Sequence, residues 1–129
     1  MGLDQNAYKQ KSTYDKSTRT ETITKTELHY WRKHNRLQGW MENLYRSRGG
    51  QDEFNCVDVR IDENDLERLE AAILHKELPQ TGGFFFGNDS YDRDGVDGEY
   101  YYKESDLEFV QKARKAMSEG WTIVYNCWW

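Results

Sequence analysis

The chain ends in WTIVYNCWW, residues 121–129, and no other stretch restricts the fold as much. β-Branched and aromatic residues alternate there. Trp121, Ile123, Tyr125, Cys127 and Trp129 would face one way, and Thr122, Val124, Asn126 and Trp128 the other. A terminal strand this apolar has to be paired, because an open edge would template aggregation. Residues 54–61 (FNCVDVRI) alternate well enough for a second short strand, so the natural partner is the polar N-terminal arm. Composition alone reads residues 1–25, rich in Thr, Ser and Lys, as mobile.

Helical periodicity fills the rest. Thr24 and Glu27 have capping-box spacing, which predicts a first helix from Thr24. Leu37, Trp40, Met41, Leu44 and Tyr45 form its apolar face, and Gly49-Gly50 stops it. Asp62 and Asn64 are candidate caps of a second helix with Leu66, Leu69 and Ile73 inward, ending before Pro79. Ser105-Asp106-Leu107-Glu108 is another capping box; Val110, Ala113 and Met117 supply that helix's face and Gly120 its stop. The expected fold is one α+β domain over residues 1–129. About three helices pack on a small, mainly antiparallel sheet that includes the N- and C-terminal strands.

Aliphatic residues are scarce and mean hydropathy is -1.06, yet 15% of residues are Phe, Trp or Tyr. The core therefore has to be aromatic. A domain of this length buries roughly two-thirds of its unfolded surface, enough to fold alone. The net charge of -5 argues against general nucleic-acid binding, which requires phosphate neutralisation by Lys and Arg. No signal peptide or membrane-spanning apolar run is evident, so a cytoplasmic protein with Cys56 and Cys127 reduced and buried is expected. Asn6 stands where a myristoylation signal needs Ser or Thr.

Chemistry-bearing motifs are few. Asp92, Asp94 and Gly95 resemble the middle of an EF-hand loop, but Ser90 and Tyr101 occupy the first and twelfth positions, so no metal site is expected. His29, His34 and His75 lack metal-ligand spacing, and no Ser or Cys sits in a nucleophile motif. Gly82-Gly83-Phe84-Phe85-Phe86-Gly87 lacks the ending of a phosphate loop, and no cofactor motif is present. The basic collar of residues 31–36, read as lying one to two turns into the first helix, could hold an anion. Arg32, Lys33 and Asn35 would contact the anion, with Trp31 and Phe84, Phe85 and Phe86 stacking. Its competing reading is a wet helix face docked on the acidic insert, residues 88–99.

Several blocks together resemble a family of small, mostly uncharacterised proteins encoded by bacteriophages and prophage-bearing bacteria. They are MGLD with Tyr8, YWRKHN (30–35) followed by Trp40, LPQTGGFFFG (78–87), YYYKESDLE (100–108) and the aromatic C-terminal strand. The resemblance implies that residues 1–8 are a strand, which supplies the sheet partner of the last one. It also implies an accessory early protein acting in the host cytoplasm. Gln38 stands where that family often has His, and the insert NDSYDRDGVDGE is longer than usual; any chemistry of that His is then missing.

The expected function is non-enzymatic binding of a host protein or host-derived molecule, through partly exposed rings such as Trp31, Trp40, Trp128 and Trp129. A pocket sequestering a nucleotide-like anion is the alternative, and an enzyme using the carboxylates of Glu104 and Asp106 a third reading. Asp106 is otherwise explained by helix-start chemistry. The oligomeric state stays open, a homodimer included. Finally, Gly82, Gly83 and Gly87 are expected to bracket a turn that buries Phe85 against the first helix. The insert then loops out, its deletion over residues 89–98 costing little, and Tyr100, Tyr101 and Tyr102 return the chain to the core.

Overall fold

TETITKTELHYWR, residues 20–32, carries a β-branched side chain at Thr20, Thr22, Ile23, Thr24 and Thr26, a composition that suits a pleated strand better than a helix. In the computed structural model, which describes residues 2–81, 91 and 100–129, this segment is a strand. The order of elements is β1 (Asp4–Asp15), β2 (Thr20–Arg32), α1 (Asn35–Ser47), β3 (Val59–Ile61), α2 (Glu63–Leu74), α3 (Lys103–Ser118) and β4 (Thr122–Trp128). The N-terminal arm is thus a long hairpin, and the capping-box spacing of Thr24 and Glu27 marks no helix start. Asp15 closes the turn by accepting from the backbone N–H and hydroxyl of Ser17, and Arg19 takes a positive φ of 54°.

All pairings in the sheet are antiparallel, in the order β2-β1-β4-β3. As the terminal strand requires, β4 is covered on both edges, by β1 and by the short β3. Only Val59–Ile61 of the expected second strand is extended pairing; residues 54–58 are irregular. A bulge opposite Ala7 and Tyr8 leaves Leu28 without a partner and inverts the parity of β2. His29 and Trp31 point to the helices, whereas Glu21, Ile23, Lys25 and Glu27 share the opposite face with Tyr8, Ser12 and Tyr14. Because β4 pairs with β1 only from Asp4 to Gln10, the far end of the hairpin projects as a two-stranded ribbon.

The helices cover one face. Inward residues of the sheet include Ala7, Trp31, Val59, Ile61, Ile123, Tyr125 and Cys127, all buried. Leu37, Met41 and Leu44 of α1, Leu66, Leu69 and Ile73 of α2, and Phe109, Val110, Ala113 and Ala116 of α3 close the core, with Met117 only partly buried. Asp62 caps α2 through a reciprocal box with Asp65. Burial pushes the Asp65 pKa up, but the Asp62 N–H and the guanidinium groups of Arg48 and Arg68 more than offset this and hold it below the ordinary value. Gly49 and Gly120, with φ of 85° and 90°, end α1 and α3 as expected.

The third helix begins at Lys103, not Ser105, since the Asp106 N–H already donates to Tyr102. Cys56 is exposed, on a loop with φ of 60°, while Cys127 is buried and its thiol is pushed up to about 12 by desolvation. Gly82, Gly83, Gly87, Phe84, Phe85 and Phe86 lie outside the described residues. The segments flanking them are anchored on α1. Gly39 leaves room for Thr81, which any Cβ there would strike; Arg36 donates to the Leu78 carbonyl at 2.8 Å and lies 3.9 Å over the Tyr91 ring. Tyr91, inside the insert, accepts the Leu78 N–H and packs on Tyr100 at 5.0 Å. Deleting residues 89–98 therefore removes packing as well as loop.

Candidate functional site

The residues proposed from sequence part company where β2 meets α1. Trp31 is the last inward residue of β2 and only 2% exposed, so it offers no face to a ligand. Arg32 points the other way, on the open face, and pairs with Asp4 at 3.5 Å. Lys33 is exposed in the connection with φ of 59°, and Asn35 is buried at the first position of α1. The basic collar is thus a strand end and a turn, with Arg32 and Lys33 on the surface and Trp31 and Asn35 inside. Of the other Trp residues, Trp40 and Trp129 are half-buried and Trp128 is exposed.

Asp106 turns out to be the hub of a buried polar network. Its carboxylate accepts from Trp31 Nε1 at 2.9 Å, Tyr100 OH at 2.7 Å and His34 Nε2 at 2.8 Å. Gln5 extends the network: its Oε1 accepts the His34 N–H, and its Nε2 donates to the His34 carbonyl and to Tyr125 OH. The His34 ring stacks on Tyr102 at 4.4 Å, and the Tyr102 hydroxyl donates to the Arg32 carbonyl. Three strands, the start of α1 and the first turns of α3 are joined there. His34 and Asp106 are buried, at 0% and 1% exposure, so the network holds these elements together within the core. Gln38 is also buried; its Nε2 lies 3.9 Å from Cys127 Sγ, and among the described residues its Oε1 has no hydrogen-bond partner.

A second cluster lies near the surface. His29 Nε2 is 2.8 Å from Ser105 Oγ, beside a shallow cleft of about 480 Å³ lined by Tyr101, Tyr102, Glu104, Ser105 and Glu108. The pair has the spacing of a nucleophile and its base, but the third partner reverses the chemistry. Lys112 Nζ sits 3.3 Å from His29 Nδ1, and an ammonium has only donors. Nδ1 therefore accepts, the ring proton is on Nε2, and His29 donates to Ser105 instead of taking its proton. Glu104 faces solvent while Asp106 faces the core, so these carboxylates do not converge on one site. Among the described residues no three His, Cys, Asp or Glu side chains are grouped to hold a metal.

Desolvation, then the Lys112 charge, holds the His29 pKa below its ordinary 6.5. The unfolded chain then binds that proton more readily than the fold. The stabilisation is fully present above pH 6.5 and is lost as pH falls through and below that value. Thermal melts should show a lower Tm at about pH 5 than at about pH 8, with a smaller difference in His29→Asn. An equal pH response in the two proteins would remove His29 as the cause.

The uncovered sheet face is the remaining candidate surface. Tyr30 and Trp128 are 50% and 53% exposed, and Tyr14 and Ile23 59% and 63%. By register, Trp128, Asp4 and Arg32 form one row across the face, Asn126, Asn6 and Tyr30 the next, and Val124, Tyr8 and Glu27 a third. Its charges are largely self-paired: Asp4 with Arg32 and the Tyr30 hydroxyl, and Asp58 with Lys25 at 3.0 Å and Asn126. Alternation set Trp128 on the face opposite Tyr125 and Cys127 without fixing which face is outward, and nothing local identified Tyr30, because the bulge in β2 depends on the pairing with β1. In comparisons with known proteins, no family model matches the chain, and no curated protein or solved structure matches it.

Proposed function

We propose that this is a non-enzymatic binding protein that presents its uncovered sheet face to a host protein. It would be an accessory protein of the phage and prophage kind its sequence blocks resemble, acting in the host cytoplasm. The observation that carries the reading is the pair of exposed aromatic side chains, Tyr30 and Trp128, in adjacent rows of a sheet face that no helix among the described residues covers, with Tyr14 exposed further out on the ribbon. Tyr and Trp supply large contact area at low entropic cost and are enriched in binding hot spots. The self-paired charges favour a protein over a phosphate-rich partner, which would need free Lys and Arg. Two observations favour binding over turnover: the Lys112 ammonium beside His29 Nδ1, and the burial of Asp106. No helix among the described residues is long and apolar enough to cross a membrane.

The test compares the protein with a Tyr30→Ser/Trp128→Ser variant whose melting curve is unchanged. A host protein retained by the first and lost by the second, with Kd weakened by at least about tenfold, supports the reading. Equal retention by both, or catalytic turnover of a host metabolite by the purified protein, would sink it.

A further inference from the structure

β2 is an outer strand, and its free edge from Thr20 to Glu27 is exposed at every residue. Its core end is covered, since Lys112 reaches the Leu28 carbonyl and Tyr102 the Arg32 carbonyl. Among the described residues nothing comparable covers residues 20–27. Such an edge is a template for another strand, and Lys25 is its single lysine guard.

We propose that the occupant is a second copy of this chain, pairing β2 with β2 about a twofold axis at Ile23. An axis normal to the sheet keeps each residue opposite one of the same face, so only alternate registers are allowed. With the axis at Ile23, the two Ile23 side chains meet, and Glu21 lies opposite Lys25 of the second copy, twice over. Thr20 then faces Thr26, Thr22 faces Thr24, and Arg19 lands beside Glu27 of the second copy. Neighbouring registers are each penalised. An axis at Thr22 sets Arg19 against Lys25, one at Thr24 sets Glu21 against Glu27, and one at Glu21 or Lys25 sets that residue against itself. Like charges directly opposite destabilise a pair, whereas Thr–Thr and opposite-charge pairs favour it. Axes at Thr26 and Thr20 would also oppose unlike charges, Lys25 to Glu27 and Arg19 to Glu21, but the first runs onto the covered end from Leu28 and the second into the turn at residues 16–19. Charge complementarity within the free edge therefore selects one register, and it buries Ile23, the most exposed of the large apolar side chains described.

Lys25 is committed to Asp58 in the single chain, but that pair is exposed, with side chains 38% and 43% accessible. An exposed pair of this kind contributes little, so exchanging Asp58 for Glu21 of the second copy meets little resistance. The opposite sheet edge, β3, is only Val59–Ile61, so the assembly closes at two copies.

Analytical ultracentrifugation of the wild type, Glu21→Lys and Lys25→Glu tests this, with circular dichroism confirming that each is folded. The wild type is expected to sediment as a dimer, and each variant alone to dimerise on the order of tenfold or more weakly, because like charges then face each other. Mixed in equal amounts, the two variants should recover the dimer mass, since both contacts between positions 21 and 25 across the axis then join opposite charges. A monomeric wild type at the highest soluble concentration would overturn the proposal. So would open-ended oligomers, variants that dimerise like the wild type, or a mixture that stays monomeric.

Discussion

Replacing Asp106 with Ala is expected to destabilise the protein by about 3–5 kcal/mol, the cost of removing one partner of a buried, hydrogen-bonded set. The loss exceeds that of an ordinary buried hydrogen bond because three donors lose the Asp106 carboxylate together: Trp31 Nε1, Tyr100 OH and His34 Nε2. All of them are buried, with Trp31 2%, Tyr100 3% and His34 0% exposed. Asp106→Asn keeps the volume and one acceptor but turns an amide donor toward one side of the set, so its loss should be intermediate. His34→Ala in the Asp106→Ala background should cost clearly less than in the wild type, because the two share one network. Urea denaturation of the wild type and the four variants measures all of this. A loss below about 1 kcal/mol for Asp106→Ala, the worth of a single ordinary hydrogen bond, would show that the donors find other partners.

The same residue shows what a one-dimensional reading misses. Ser105-Asp106-Leu107-Glu108 has the spacing of a helix start, and a carboxylate in a first turn is explained by the backbone N–H groups it faces. Nothing within those residues announces that Trp31, His34 and Tyr100 will converge on Asp106, because the convergence is made by strand pairing far away in sequence. Thr24 and Glu27 failed for a related reason: their capping-box spacing competes with a β-branched alternation, and pairing with Lys9, Lys11 and Thr13 decides in favour of the strand. Elements whose signal is local were legible. The terminal strand, the Asp62 cap, the Leu66–Leu69–Ile73 face and the glycine stops all lie where periodicity and capping place them. The proposed anion site was legible only as residue types. Trp31 and Arg32 are consecutive on a strand, so one must face the core while the other faces out.

Phe109→Ala is the second large expected effect, again about 3–5 kcal/mol, because a fully buried ring leaves a cavity that a helix-on-sheet layer cannot close. Helical spacing pointed to Val110, Ala113 and Met117, yet Phe109 is the residue of α3 that reaches the sheet's aromatic centre. Its ring meets Trp31 edge-on at 5.0 Å and lies 5.9 Å from His29. Edge-to-face packing of this kind contributes beyond the area it buries. Phe109→Leu should restore more than half of the loss, since Leu refills much of the space without recreating the edge contact. The ring also helps to exclude water from His29, whose depressed pKa originates first in desolvation. Opening that space should let the His29 pKa rise toward 6.5 in Phe109→Ala, and the extra destabilisation on acidification should shrink accordingly. Urea melts give the stability change, and the His29 ring signals followed by NMR through the titration give the pKa. A large stability loss with an unmoved His29 would mean that Trp31 and Lys112, not Phe109, keep water from the imidazole.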